Sequence, residues 1–286
     1  MPELPEVETV ARSLRPFLLG QTITRIEIFK DKSFPDVAQQ KHVLGVKIVA
    51  IKRRAKLIII DFANNYHLVT HLKMTGQLLY RHQGHNQAGG GHPTADIFAD
   101  LPSKHTRVAY TLSNQDHLFF NDLRIFGWQK IFTTSQLQSE LAKYGPDANA
   151  LNSHDIHALE ISWARCRRPI KQVLMDNKYL SGLGNIYAAE VCYRTRLDPR
   201  TPTMKVTPGQ IEALAQQAHD LLTEAIKYGG TTFDGRYVDA NGQGGNFESH
   251  LDVYGRANQP CHRCGHLLET LKIGGRSTVF CPECQR

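Results

Sequence analysis

Four cysteines near the C-terminal end constrain this chain more than any other feature. Cys261-x-x-Cys264 is followed, after sixteen residues, by Cys281-x-x-Cys284. A pair of cysteines two residues apart can present both thiolates from one tight turn, and two such turns close a tetrahedron around a single Zn2+. Cys166 and Cys192 stand apart from the cluster. In a chain of cytosolic character, clustering of this kind argues for metal over disulfides. His262 and His266 lie nearby, but four thiolates already complete the coordination shell, so both are left out of the ligand set. A closed site has no open position for water and performs no hydrolysis. Its expected task is to organise a hairpin whose exposed Arg276 can reach a phosphate or a substrate.

The formal net charge of +7 favours a polyanionic partner. With 41% hydrophobic and 21% charged residues, the composition is that of a folded globular protein and excludes disordered and collagen-like classes. The longest apolar runs, such as Leu57–Ile60 and Leu118–Phe120, fall far short of the roughly 18 residues a membrane helix needs. No apolar segment opens the chain as a signal peptide would, so the expected location is cytosolic, with no membrane partner. A chain of 286 residues has room for one large or two ordinary domains.

From Gly20 to Phe132 the chain reads as short strands separated by turn-formers: Thr22–Phe29, Val46–Ile51, Leu57–Phe62, Leu68–Leu72, Val108–Leu112 and Leu118–Asn121. Strands without intervening helices predict a sandwich or barrel. Gln83–Ala99, rich in Gly, His, Asn and Pro, reads as a mobile surface loop outside the core. From Ala158 to Tyr228 the apolar period turns helical, with Ile170, Val173 and Leu174, then Ile211, Leu214, Ala218, Leu221, Leu222 and Ile226. Gly229–Gly245 reads as a second glycine-rich loop. No internal repeat is visible.

The N-terminus, Met1-Pro2-Glu3-Leu4-Pro5-Glu6-Val7-Glu8-Thr9-Val10, has a sound structural reading. Pro5 suits the first turn of a helix, Glu6 and Glu8 favour the positive end of its dipole, and Val7, Val10, Ala11 and Leu14 form an apolar stripe. That reading leaves Pro2-Glu3 unexplained. Removal of Met1, usual before a small residue, would make Pro2 a free secondary amine. An α-amino group titrates near 8 against about 10.4 for lysine, so roughly a tenth of it is neutral and nucleophilic at pH 7. Attack on a sugar C1′ would lead to an iminium, with Glu3 placed to move protons.

The N-terminal run through Thr9 resembles the start of the bacterial formamidopyrimidine-DNA glycosylase (8-oxoguanine DNA glycosylase) family. The resemblance continues through Arg53-Arg54-Ala55-Lys56, His71-Leu72-Lys73-Met74-Thr75-Gly76, Asp122-Leu123-Arg124-Ile125-Phe126-Gly127, Ile170-Lys171, Gly182-Leu183-Gly184-Asn185-Ile186-Tyr187, Gly229-Gly230-Thr231-Thr232, Val253-Tyr254-Gly255-Arg256 and Cys281-Pro282-Glu283-Cys284-Gln285. These motifs run the length of the chain in family order.

The resemblance implies an α+β fold of two domains. A β-sandwich with an N-terminal helix comes first, followed by a helical domain with a helix–two-turn–helix element and a β-hairpin zinc finger. The expected segments are 1–135 (catalytic), 136–157 (linker), 158–250 (helical, DNA-binding) and 251–286 (zinc finger). It also implies excision of oxidised purines from duplex DNA, then strand cleavage by β,δ-elimination at the abasic site, with one structural zinc and the chain acting as a monomer. On the family pattern Pro2 is the Schiff-base nucleophile, Glu3 the general acid/base and Glu6 a supporting acid. Lys56 is the catalytic lysine that contacts phosphate, and Arg276 the zinc-hairpin arginine of δ-elimination. Met74, Arg124 and Phe126 match residues that fill the void left by an extruded base. Asn185 matches a phosphate-holding residue at a helix N-terminus. Arg165, Arg167 and Lys171 add cations beside it, and His105 matches a DNA-contacting histidine.

The chain departs from the family pattern at Arg107, where a second histidine is common, and at Asp147, where glutamate is preferred. The stretch from Tyr80 to Lys104 is also longer and richer in glycine. Two alternatives share the scaffold: an endonuclease VIII-like enzyme for oxidised pyrimidines and a non-catalytic zinc protein that binds lesion DNA. Leu4, where the pyrimidine branch usually has glycine, favours the purine branch, and retention of Pro2, Glu3 and Lys56 together favours an enzyme.

Overall fold

Helix α1 (Leu4–Leu18) buries Val7, Val10, Ala11, Leu14 and Leu18, the stripe expected from its i, i+3, i+4 spacing. In this computed structural model, which describes residues 1–93, 100–232 and 237–286, that stripe packs on two antiparallel sheets. One has the order β1-β7-β8-β5-β6-β10, from Ile23–Ile28, Thr106–Leu112, His117–Asp122, Gly76–His82, His85–Gly91 and Val238–Asp239. The other has the order β2-β3-β4-β9, from Ile48–Arg54, Leu57–Phe62, Tyr66–His71 and Trp128–Thr133. Ile48, Ile58, Ile60 and Leu68 of the second sheet share one apolar core with Leu78, Tyr80, Val108, Tyr110 and Phe120 of the first. This is the expected sandwich.

The chain divides into two compact units, Met1–Ala142 with Tyr228–Asn246, and Lys143–Lys227 with Phe247–Arg286. In the first, the glycine-rich stretch expected to lie outside the core is a buried strand from Ala88 to Gly91. The reason is close approach. A Cβ on Gly89 would lie 2.0 Å from the Leu78 carbonyl oxygen and one on Gly91 2.3 Å from that of Gly76, so only glycine lets β6 run here. Residues 94–99 of the expected loop lie outside the described residues. Tyr228–Asn246, read from sequence as part of the helical region, instead packs in the first unit. Val238 and Asp239 pair with Gly91 and Gly90, and the Thr231 N–H donates to Glu6. Residues 233–236 of that loop likewise lie outside the described residues.

The stretch expected to be a linker holds α2 (Thr134–Leu141) and the start of α3 (Ser153–Trp163). Both begin with reciprocal caps, Thr133 with Gln136 and Asn152 with Asp155, a signal readable from the sequence. The second unit continues with α4 (Ile170–Leu174), α5 (Asn185–Arg194), α6 (Pro208–Lys227) and the hairpin β11–β12 (Glu269–Ile273, Arg276–Phe280). Ala189 and Tyr193 of α5 pack with Val253, Cys261, Leu268, Val279 and Cys281, giving the hairpin its small core. Among the described residues, no helix is long and apolar enough to cross a membrane.

Candidate active site

In the first unit, Pro2, Glu3 and Glu6 are all buried at the head of α1. The Glu6 carboxylate accepts the Glu3 N–H at 2.7 Å through one oxygen and the Thr231 N–H at 2.8 Å through the other. It thus ties the N-terminal turn to the glycine-rich loop, a bond between residues far apart in sequence that no local pattern could reveal. Gly230 is required beside it, because a Cβ there would come within 2.7 Å of a Glu6 carboxylate oxygen. Glu8 has a different duty. It pairs with Arg53 at 2.9 Å and Arg12 at 2.7 Å, tying α1 to β2. Burial opposes its ionisation, but the two guanidinium groups outweigh that and hold the carboxyl below its usual range.

Lys56 follows the tight turn at Ala55, whose φ is +54°, and is buried where β3 begins. His71 at the end of β4 accepts the Lys73 N–H through Nδ1 at 3.0 Å. Burial, reinforced by the Lys73 and Lys56 cations, pushes its imidazole down to about 3, so at neutral pH the ring is uncharged. Met74 and Phe126 are 41% and 47% exposed. The Arg124 guanidinium lies 4.7 Å from the Phe126 ring centroid and the Lys32 ammonium 5.9 Å from it, so the exposed ring carries two cations. Arg124 is exposed and His105 half-buried.

In the second unit, Lys171 differs from Arg165 and Arg167, the other cations expected beside Asn185. It is fully buried, and its Nζ donates to Asn185 Oδ1 at 2.8 Å and Thr278 Oγ1 at 2.8 Å. Asn185 also donates to the Ser277 carbonyl at 3.2 Å. One lysine therefore links α4, the first residue of α5 and strand β12, which begins with Arg276. Arg165 and Arg167 are exposed, whereas the Arg168 guanidinium is held by Asp176 at 2.7 Å. Arg276 is exposed, with one guanidinium nitrogen 3.6 Å from the Met175 sulfur.

The four expected cysteines converge, their sulfur atoms all within 4.8 Å of one another. Cys261 and Cys284 are 3.9 Å apart and Cys264 and Cys281 3.6 Å. A tetrahedron with Zn–S bonds of about 2.3 Å has edges of about 3.8 Å, so these two pairs already have the spacing zinc requires. Burial and the three neighbouring thiols push Cys284 up to about 12, a crowding that a central cation relieves.

Three family models tile the chain. The formamidopyrimidine-DNA glycosylase N-terminal domain matches residues 1–129, the formamidopyrimidine-DNA glycosylase H2TH domain residues 144–236, and the zinc finger found in FPG and IleRS residues 258–286. A formamidopyrimidine-DNA glycosylase of Pelotomaculum thermopropionicum is 37% identical over 292 residues, covering 100% of this chain and 99% of its own. The chain belongs to the formamidopyrimidine-DNA glycosylase family. A second relative, from an Exiguobacterium species, is 35% identical with both chains fully covered. Among solved structures of the family, a Lactococcus lactis Fpg bound to DNA containing an abasic site superposes with a TM-score of 0.85 at 28% identity, covering 99% of each chain. The same score and identity hold, with full coverage of both chains, for the L. lactis enzyme bound to DNA containing N7-benzyl-Fapy-dG. In this family member Cys261, Cys264, Cys281 and Cys284 form one structural zinc site.

Proposed function

We propose that this chain is a bifunctional DNA glycosylase and abasic-site lyase that removes oxidised purines from duplex DNA, working at the bacterial nucleoid. The full-length match to curated formamidopyrimidine-DNA glycosylases carries the reading, and relatives solved on abasic and Fapy-dG DNA support it. After removal of Met1, the Pro2 nitrogen attacks C1′ of the damaged nucleotide. The C1′–base bond breaks, and the base leaves with the electron pair and takes up a proton. Loss of the nitrogen proton and opening of the C1′–O4′ bond then give the iminium, with O4′ protonated. Loss of a C2′ proton expels the 3′ phosphate, and loss of a C4′ proton expels the 5′ phosphate.

Glu3 serves as the proton-moving group. Glu6, committed to two backbone N–H groups, holds the N-terminal turn in place as the supporting acid. Lys56 and Arg276 neutralise phosphate oxygens as the two eliminations proceed. Met74, Arg124 and Phe126 fill the space of the extruded base, and His105, Arg165, Arg167 and Asn185 grip the backbone. Lys171 contributes through Asn185 and the hairpin rather than by direct contact. The zinc holds the hairpin that presents Arg276 and takes no part in bond breaking.

Duplexes carrying 8-oxoguanine, a formamidopyrimidine or an oxidised pyrimidine test the substrate class. The proposal expects excision of the two purine lesions, leaving a gap flanked by two phosphate-terminated strand ends. Preferential excision of the pyrimidine lesion would move the chain to the endonuclease VIII-like branch.

A further inference from the structure

Asp122, at the end of β8, is a fully buried acid to which the proposed chemistry assigns no role. Its side chain accepts from four donors. Oδ1 takes the Thr75 hydroxyl and, at 3.2 Å, the Arg124 N–H; Oδ2 takes the N–H groups of Phe126 at 2.8 Å and Gly127 at 2.6 Å. Two carboxylate oxygens have room for about four donors, so its capacity is filled. The Arg124 N–H also reaches the Thr75 oxygen at 3.0 Å, closing a ring between the Met74–Thr75 turn and the Arg124–Phe126 loop.

The backbone of Asp122 reaches a third segment. Its N–H donates to the His105 carbonyl at 2.9 Å, and its own carbonyl accepts from Arg107 Nε at 2.7 Å. Arg107 in turn donates to the Lys104 carbonyl at 3.0 Å. Met74, His105 and the Arg124–Phe126 loop lie on three segments separate in sequence, yet each of them is hydrogen-bonded to this one residue or to the arginine it holds.

The loop is fixed against its own preference. Ile125 has a φ of +56°, a region in which a β-branched residue is strained, and the conformation is sustained only where surrounding bonds determine the backbone. The bonds to the next two N–H groups are those that Asp122 accepts. Gly127 has no room for a side chain, since a Cβ would lie 2.8 Å from the Phe120 ring and 3.0 Å from Asp122 Oδ2. Buried roots thus carry exposed tips. A wedge ordered in advance loses less entropy on entering a base stack than one that must first be fixed.

We infer that Asp122, with the Thr75 hydroxyl, is a positioning clasp that holds the Met74, His105 and Arg124–Phe126 segments in register for entry into the duplex, and so sets the rate of base extrusion. The clasp rests on the proposed glycosylase function. Asp122→Asn would turn an amide NH2 toward donors that need an acceptor. Thr75→Val would cut only the link between the two wedge-bearing loops, and Thr75→Ser would keep it.

The test uses full-length, zinc-loaded protein and two substrates: a duplex with 8-oxoguanine opposite cytosine, and the same duplex with a preformed abasic site, where no base is extruded. Thermal melting identifies the folded variants. Asp122→Asn and Thr75→Val are expected to slow single-turnover excision roughly tenfold or more, while cleavage at the abasic site changes less than about threefold. Extrusion followed by 2-aminopurine fluorescence should slow in parallel, and Thr75→Ser should restore the wild-type rate. Equal slowing of both reactions, or of neither, in folded variants would overturn the clasp and leave Asp122 a purely structural residue. If Asp122→Asn does not fold, Thr75→Val against Thr75→Ser decides alone. A wild type inactive on both substrates would instead overturn the glycosylase reading, and the clasp with it.

Discussion

The Asp122 region of the first unit and the zinc hairpin of the second both root an exposed residue on a tight turn, but by opposite means. Around Asp122 a buried carboxylate gathers the backbone N–H groups of the loop that follows it and the Thr75 hydroxyl of a neighbouring turn, and Met74 and Phe126 project from the result. In the hairpin four thiols meet at tetrahedral spacing, and Arg276 projects from the first residue of β12. A carboxylate knot depends on the sheet that brings its donors together. A thiolate knot carries its own organising chemistry and depends on one ion.

The largest effect that would break this comparison is removal of zinc. Structural zinc sites contribute on the order of 10 kcal/mol to small metal-dependent domains. Chelation is therefore expected to abolish lesion-DNA binding while the sandwich still shows its own thermal transition. Full affinity from verified metal-free protein would show that the hairpin is held by packing alone.

Glu190 sharpens the comparison from within the second unit. It is a fully buried carboxylate on α5 that accepts the N–H groups of Asp252, Val253 and Tyr254 at 2.8–2.9 Å, where the chain approaches the first zinc ligands. Glu190→Ala would leave three donors, the Val253 N–H fully buried and the other two partly so, without this acceptor, at a cost of about 2 kcal/mol or more, read by urea unfolding of zinc-loaded protein. A loss below about 1 kcal/mol would mean that the metal alone organises this part of the chain.

A smaller effect concerns His71 in the first unit. Its folded pKa, about 3, lies below its unfolded value near 6.5, so the unfolded chain takes up a proton first and stability falls as pH drops below about 6.5. Between pH 7 and pH 5 this amounts to about 2 kcal/mol, a loss that His71→Phe should remove from the pH dependence of unfolding. An unchanged slope in the variant would show that the ring titrates alike in the folded and unfolded chain.

The same contrast explains what the sequence made legible. The cysteine ligands, the apolar face of α1, the strand Leu57–Phe62 and the apolar positions of α6 all follow from spacing or period. Strand β6 was hidden because His-Asn-Gln-Ala-Gly-Gly-Gly has the composition of a loop; it is a strand only because its glycines admit Leu78 and Gly76 at distances no side chain allows. The positions of Pro2, Glu3, Lys56 and Arg276 could be named from the family pattern. The bonds that hold such segments in place, Glu6 to Thr231, Asp122 to its four donors and Lys171 to Asn185 and Thr278, could not, because the partners are mostly backbone groups or lie far along the chain. Asp122 before a turn, in Asp-x-Arg-x-Phe-Gly, was the one local clue, since aspartate readily accepts from backbone N–H groups just ahead of it.

Borohydride trapping on a duplex containing 8-oxoguanine opposite cytosine, with peptide mapping of the adduct, tests the central claim most directly. The account predicts a covalent adduct at the Pro2 nitrogen that is absent when the N-terminus is blocked. An adduct on another residue, or lesion cleavage by N-terminally blocked protein at the normal rate, would contradict it.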